Sequence, residues 1–306
     1  MGTFCRLETP RDAYRVALRQ TRFFKPTRPS SDRGATPLLV HYHIYKNAGT
    51  SFEWALKKAF GDGFRMHDSP SAGGIVSARE LKQLANREPQ LRAISSHGAM
   101  PPAPRILGRT VISSMLIRDP IARIGSIYSF ERKQQVETPG AIKAKELGFK
   151  EYVEWRLRTS AGLFCNYQVY VCAGKTRYSP LCRLRDLEAA VIRLDGIDLV
   201  GTVRRYQDWL ALVQAALEQA GLNVTLEAGH QNRSEGKTTL SEAAILAHLM
   251  DDLGSGLTNE LIERNELDMC LHQVADSLLT RRLAERAVRI TLREAYTQTN
   301  SGLASA

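Results

Sequence analysis

The chain has 306 residues, 43% of them hydrophobic and 24% charged, a globular composition large enough for one sizeable core. With 42 basic and 32 acidic residues its formal charge is +10, so a nucleic acid, an anionic membrane surface or a small anion is the expected class of partner. Paired Cys/His finger spacings, 18-residue apolar runs and a signal-peptide core are all absent. No nucleic-acid partner and no membrane span are therefore expected, and the expected location is cytoplasmic. The five cysteines are sparse and lack CxxC spacing, so reduced thiols are expected rather than a disulfide scaffold or a zinc site.

Residues 1–36 form a basic lead-in ending in KPTRPSSDRGATP, with a short helix expected over 12–24. LLVHYHIY (38–45) reads as a strand and KNAGTS (46–51) as a tight polar loop. SFEWALKKAF (51–60) sets Phe52, Leu56 and Phe60 at helical spacing before Gly61 stops the helix. Ser77 and Glu80 have the spacing of a capping box. LRAISSHG (91–98) reads as a strand entering a turn. TVISSMLIR (110–118) runs apolar, as a buried parallel strand does, and Asp119-Pro120 opens a helix through 122–132. Residues 133–148 read as a polar surface excursion, 149–158 as a helix, and 165–174 as strand or loop. A helix over 184–194, a strand over 197–202, a helix closed by Gly221, the polar NRSEG loop (232–236), a helix over 239–253 capped at Ser241 and one or two helices over 259–298 complete the chain. The alternation gives an α/β fold with a mostly parallel central sheet flanked by helices, a single domain over 37–298 and a flexible tail at 299–306. A ligand is expected at the carboxyl ends of the strands.

The strongest local signal is YKNAGTS (45–51), set between a strand and a helix. Backbone N–H groups, a lysine and two hydroxyls at a helix N-terminus are the parts that hold a phosphate, and Gly49 permits the tight turn. A Walker A loop places its lysine beside the Ser/Thr after an early glycine. Here Lys46 leads and no early glycine exists, which disfavours an ordinary ATPase or kinase loop.

HIYKNAGTSF resembles the 5'-phosphosulfate loop of the sulfotransferases, the carbohydrate group above all, and LIRDPIARIGSIYSF (116–130) resembles that family's strand–loop–helix segment for the 3'-phosphate. Weaker likeness through LVGTVRRYQDWLALV, NRSEG and ELIERNELDMCLHQVA extends the resemblance over 38–276. It implies a P-loop-containing fold and an enzyme of bacterial type. Such an enzyme passes a sulfuryl group from 3'-phosphoadenosine-5'-phosphosulfate directly to a hydroxyl of a carbohydrate or glycolipid, releases 3'-phosphoadenosine-5'-phosphate and needs no metal.

The resemblance implies that Lys46 touches the bridging oxygen and sulfuryl end of the donor, where charge develops as the S–O bond breaks. Thr50 and Ser51, with backbone N–H groups across Asn47, Ala48, Gly49, Thr50 and Ser51, would hold the 5'-phosphate. Arg118 and Ser126 would hold the 3'-phosphate, the guanidinium as a fork and the hydroxyl from the following helix. Arg204, Arg205 and Arg233 are further candidates to close over the nucleotide. Arg123 reads as a surface or acceptor-side cation, and Asp119 as a residue that orders its loop.

Hydroxyl attack also needs a proton acceptor, and a neutral imidazole suits it near pH 7. His97, at a strand end before Gly98, is the first candidate, and related enzymes carry a catalytic His in a similar setting. Glu53, His67 and His43 are the alternatives, while the period-two spacing of His41 and His43 also fits plain sheet packing. Two other readings carry forward: a P-loop nucleotide kinase, opposed by the missing Lys-Ser/Thr pair, and a non-catalytic nucleotide-binding module, opposed by the joint presence of Lys46, Arg118 and Ser126.

Overall fold

The computed structural model describes residues 36–71, 73–175, 181–228 and 242–303. The helix expected over 12–24, the NRSEG loop with Arg233, and the Ser241 cap lie outside them. Five strands, β1 (Leu38–Tyr42), β2 (Phe64–Met66), β3 (Ala93–Ser96), β4 (Val111–Ile117) and β5 (Leu199–Thr202), form one sheet in the order β2-β3-β1-β4-β5. Every pairing is parallel, with His41 level with Ser95 on one side and Ser114 on the other. The helices are α1 (Gly49–Phe60), α2 (Ala78–Arg87), α3 (Pro120–Lys133), α4 (Pro139–Glu146), α5 (Phe149–Thr159), α6 (Tyr167–Cys172), α7 (Leu184–Asp195), α8 (Tyr206–Gln219), α9 (Glu242–Arg264) and α10 (Glu266–Leu303). Non-helical backbone at Gly254 divides α9 into two pieces.

Parallel strands are covered on both faces, and β1, apolar but for His41, shows how. Leu38, Val40 and Tyr42 join a core with Leu81, Leu187 and Leu271 from α2, α7 and α10. Leu39 faces the other way, into a core with Phe52 and Leu56 of α1 and Trp209 of α8. A third cluster, around Ile124, Tyr152 and Leu253, packs α3, α5 and α9 together.

Local chemistry forms several helix starts as expected. Ser77 and Glu80 make the reciprocal capping box of α2. Asp119 caps α3 by accepting from Ile121 N and Ala122 N at 2.9 and 3.0 Å, with Pro120 in the first turn. Elsewhere the structure differs from the expectation. β1 ends at Tyr42, because a turn closed by Asn47 N donating to Ile44 O follows it. The stretch 133–148 is not all loop: Thr138 accepts from Ala141 N and Pro139 opens α4, whose Ala141 and Ala144 are buried. Residues 167–172, read as strand or loop, are helix α6. Its first N–H groups are satisfied by the distant Asp268, which accepts from Gln168 N and Val169 N, so no local cap announces it.

Among the described residues no helix is long and apolar enough to cross a membrane, and Cys165, Cys172, Cys182 and Cys270 are free thiols.

Strand order fixes where a ligand belongs. The chain leaves β1 toward β2 on one side of the sheet and leaves β4 toward β5 on the other, so the crevice between β1 and β4 is a topological switch point. The turns after these two strands carry Lys46 and Arg118.

Sheet and helix approach closely at Gly201 of β5. A Cβ there would lie 2.4 Å from the buried Trp209 ring, which is itself held by Nε1 donating to Leu199 O at 2.9 Å. Gly201→Ala is expected to lower stability by about 1–3 kcal/mol through overpacking. Denaturant unfolding checks this, and an unchanged midpoint would show that Trp209 yields freely.

Candidate functional site

The turn after β1 is built on left-handed backbone at two non-glycine residues, Lys46 (φ 65) and Ala48 (φ 60). Ala48 precedes α1 with no side-chain cap, and no acidic residue stands in the helix's first turn. The positive end of α1 is thus left for an anion. Gly49 is required by close approach: a Cβ there would sit 2.0 Å from Nε2 of His43. Ser51 is buried and Thr50 exposed on the same first turn.

The turn after β4 is tied directly to it. Arg118 donates from its guanidinium to Lys46 O at 3.1 Å. Gln168, wholly buried, accepts at Oε1 from Asn47 Nδ2 (2.7 Å) and Arg118 N (2.9 Å), and its Nε2 donates to Arg118 O (2.7 Å). Asn47 also donates to Leu116 O at 2.8 Å. Asn47 therefore clamps the two turns through its side chain. The Lys46 ammonium stands 4.0 Å above the Phe130 ring. Ser126, Phe130 and Lys133 share one face of α3 by their spacing, and Lys133 is close enough to act electrostatically on Lys46. Burial, then Arg118 and Lys133, bring the Lys46 pKa down to about 8. A site with clustered cations and a partly desolvated ammonium is one that an anion stabilises.

A second cluster gathers three of the four proton-acceptor candidates. His97, just beyond β3, lies face to face with His43, ring centres 3.8 Å apart and planes inclined 31°. His43 Nδ1 is 2.8 Å from Glu53 Oε1, which also accepts from Ser95 Oγ at 2.7 Å. His97 Nδ1 is 3.2 Å from Asp68 Oδ2, and its backbone N donates to Asp68 Oδ1 at 2.6 Å. Burial and the neighbouring His43 lower the His97 pKa against the opposing pull of Asp68. Burial pushes the Glu53 carboxyl up, but the His43 and Ser95 hydrogen bonds outweigh it and its pKa is lowered. His43, Glu53 and His97 bring possible metal-ligand atoms within 4.8 Å of one another. In the stack as it stands, Nδ1 of each imidazole faces a carboxylate.

The remaining expectations fall as follows. His67 stays apart, extending the β2 pairing through its N–H to Ser95 O, with its charge acting on Glu80. His41 is core packing: it bonds Ser114 Oγ at 3.0 Å and meets Phe52 edge-on, and burial holds its pKa well below the usual imidazole value. Arg123 is not a surface cation but fully buried, 4.4 Å from the Tyr167 ring and bonded to Leu163 O. Arg204 is exposed and lies 3.9 Å from Asp276 of α10, while Arg205 bonds Asp208 and Thr280. Sequence reasoning missed Asp68, Ser95 and Gln168. Asp68 follows a three-residue edge strand and Gln168 a helix capped from afar, so neither had a local signature.

Removing the Gln168 amide strands Asn47 and both Arg118 backbone groups in a dry interior. Gln168→Leu is expected to lower stability by about 3 kcal/mol, the scale of leaving such groups unpaired. A denaturant midpoint equal to that of the unaltered protein would mean that the two turns hold without it.

No protein-family model matches the chain. It is similar to an uncharacterized protein of Archaeoglobus fulgidus, 28% identical over 240 residues that cover 76% of this chain and 94% of the archaeal one.

Proposed function

We propose that this chain is a sulfotransferase that moves a sulfuryl group from 3'-phosphoadenosine-5'-phosphosulfate to a hydroxyl of a carbohydrate or glycolipid, on a P-loop-containing fold. The observation that carries the reading is the Arg118 bond to Lys46 O, which joins the two anion-binding motifs at the β1/β4 switch point. The motif resemblance supplies the donor and the acceptor class. The α/β sheet, the uncapped start of α1 and the imidazole at the end of β3 are consistent with it.

In this reading the α1 N-terminus, Thr50 and Ser51 hold the 5'-phosphate, and Arg118 with Ser126 holds the 3'-phosphate. The acceptor oxygen attacks sulfur in line, forming one S–O bond as the bridging S–O bond breaks. The departing electron pair stays on the 5'-phosphate, where the Lys46 ammonium stabilises it. The hydroxyl proton goes to His97 and then to solvent. This chemistry needs no covalent enzyme intermediate.

Transfer of labelled sulfuryl to a panel of sugars and glycolipids tests the activity, with ATP-dependent phosphoryl transfer as the contrasting assay. Transfer of phosphate and not sulfate would overturn the reading in favour of a kinase. Arg118→Ala is expected to weaken 3'-phosphoadenosine-5'-phosphate by calorimetry far more than the same nucleotide without its 3'-phosphate. An equal loss for both would remove Arg118 from the 3'-phosphate.

Lys46 gives a pH signature. A bound anion favours the ammonium, so the Lys46 pKa rises from about 8 on binding and a proton is taken up above that pH. Nucleotide affinity should be flat below pH 8 and fall by up to about tenfold per pH unit above it, with the Lys46→Met variant losing that slope. Lys46→Ala should lower turnover by about 10²–10³-fold, the scale of one lost charge-stabilising donor. Unchanged turnover with only a raised donor KM would make Lys46 a binding residue.

A further inference from the structure

The proton side of the site contains more than one histidine. Asp68, at the exit of β2, grips His97 twice, through the backbone N–H and through Nδ1, while Ser96 Oγ donates to the same carboxylate at 3.1 Å. An ionised carboxylate accepts and does not donate, so the proton of neutral His97 is placed on Nδ1 and Nε2 keeps its lone pair. Glu53 does the same to Nδ1 of His43, whose Nε2 is shut in against Gly49. The two rings differ in access: His43 is buried and His97 open to solvent. Only His97 can meet an acceptor hydroxyl and afterwards pass its proton to water.

We propose that Asp68–His97 and Glu53–His43 form one proton-handling stack, in which Asp68 is the positioning residue that makes Nε2 of His97 the proton acceptor and the His43 ring, held by Glu53, lies against it. The groups acting on His97 are His43 just after β1, Glu53 from α1 and Asp68 just after β2, with the buried His41 of β1 behind His43. With ring centres 3.8 Å apart, a charge on the His43 ring disfavours one on His97, while Asp68 and Glu53 favour it. In the reaction the acceptor O–H bond breaks, the new N–H bond forms at Nε2 of His97, and Asp68 faces the resulting imidazolium. The reaction served rests on the sulfuryl-transfer reading, whereas the ring protonation does not.

Nitrogen-15 NMR of the histidine side chains tests the stack without turnover. At pH 8 the His97 ring of the unaltered protein is expected to carry its proton on Nδ1; a dominant Nε2–H form would overturn the proposal. In Asp68→Asn the carboxamide can donate to Nδ1, so the tautomer should invert. Turnover should then fall by about 10²–10⁴-fold, as when the carboxylate orienting a catalytic histidine is neutralised, with donor KM unchanged. Asp68→Glu should restore the tautomer and part of the rate. A variant that merely loosened the fold would lower the melting temperature without inverting the tautomer. His43→Asn keeps a donor for Glu53 but cannot charge, so the His97 titration midpoint should rise; an unmoved midpoint would show that the rings are independent. A protein with the expected tautomer but no sulfuryl transfer would refute the function and leave the stack standing. An active enzyme with His97 protonated on Nε2 would refute the stack alone.

Discussion

Gln168 lies where the turn after β1 meets the turn after β4, and its carboxamide bonds Arg118 much as a neighbouring peptide would in a sheet. The same Oε1 accepts from Asn47, whose other bond reaches Leu116 of β4. A cationic site needs such a frame. Lys46 and Arg118 repel each other, and loops carrying like charges separate unless something uncharged and dry holds them. Gln168 is held in turn by Asp268, which accepts from its backbone N–H at 3.1 Å and ends in the fully buried part of α10. The chain of support thus runs from a C-terminal helix, through a six-residue helix, to two turns at the front of the sheet.

That frame also explains how positive potential survives in the crevice. The acid nearest Arg118 in sequence, Asp119, is turned into the start of α3, where it accepts two backbone N–H groups. The first turn of α1 has no acid at all. Lys46 is half-buried beside an aromatic face, where its charge is less screened than in open solvent. Gathering these charges costs free energy that a bound anion would relieve.

β1 lies between the crevice it forms with β4 and the His97 turn beyond β3. His43 reaches across from the β1 exit to stack on His97 beyond β3, and Gly49 makes room for its ring at the start of the anion-facing helix. One glycine therefore serves both clusters: it starts α1 and admits the His43 ring that stacks on His97. The edge strand β2 contributes by delivering Asp68 level with the end of β3, since its Met66 pairs with Ser95.

Much of this was legible in the residues alone. The stretch 38–45 read as a strand and the largely apolar 110–118 as a buried parallel one, because strands covered on both faces do not alternate. Ser77 with Glu80 and Asp119 with Pro120 announced helix starts, because a cap is made within four residues. The motifs around Lys46 and Arg118 marked the two turns that the structure joins, and His97, His43 and Glu53, which it brings together, were all named as possible bases. What the sequence left open was which of these stand together. His41 and His43 have the same spacing pattern, yet one is sealed against Phe52 and the other bonded to Glu53. Arg123 lies in a motif rich in site residues, yet it is buried under Tyr167. Gln168 and Asp68 carry no local signal, because each acts on groups brought to it by other elements, Gln168 on residues 50 and 121 positions away and Asp68 on one 29 away. Caps and hydrophobic periods are short-range and were determined by the sequence itself. The clamp between the turns and the stack of imidazoles are long-range contacts, and only the tertiary structure, by closing those distances, decided them.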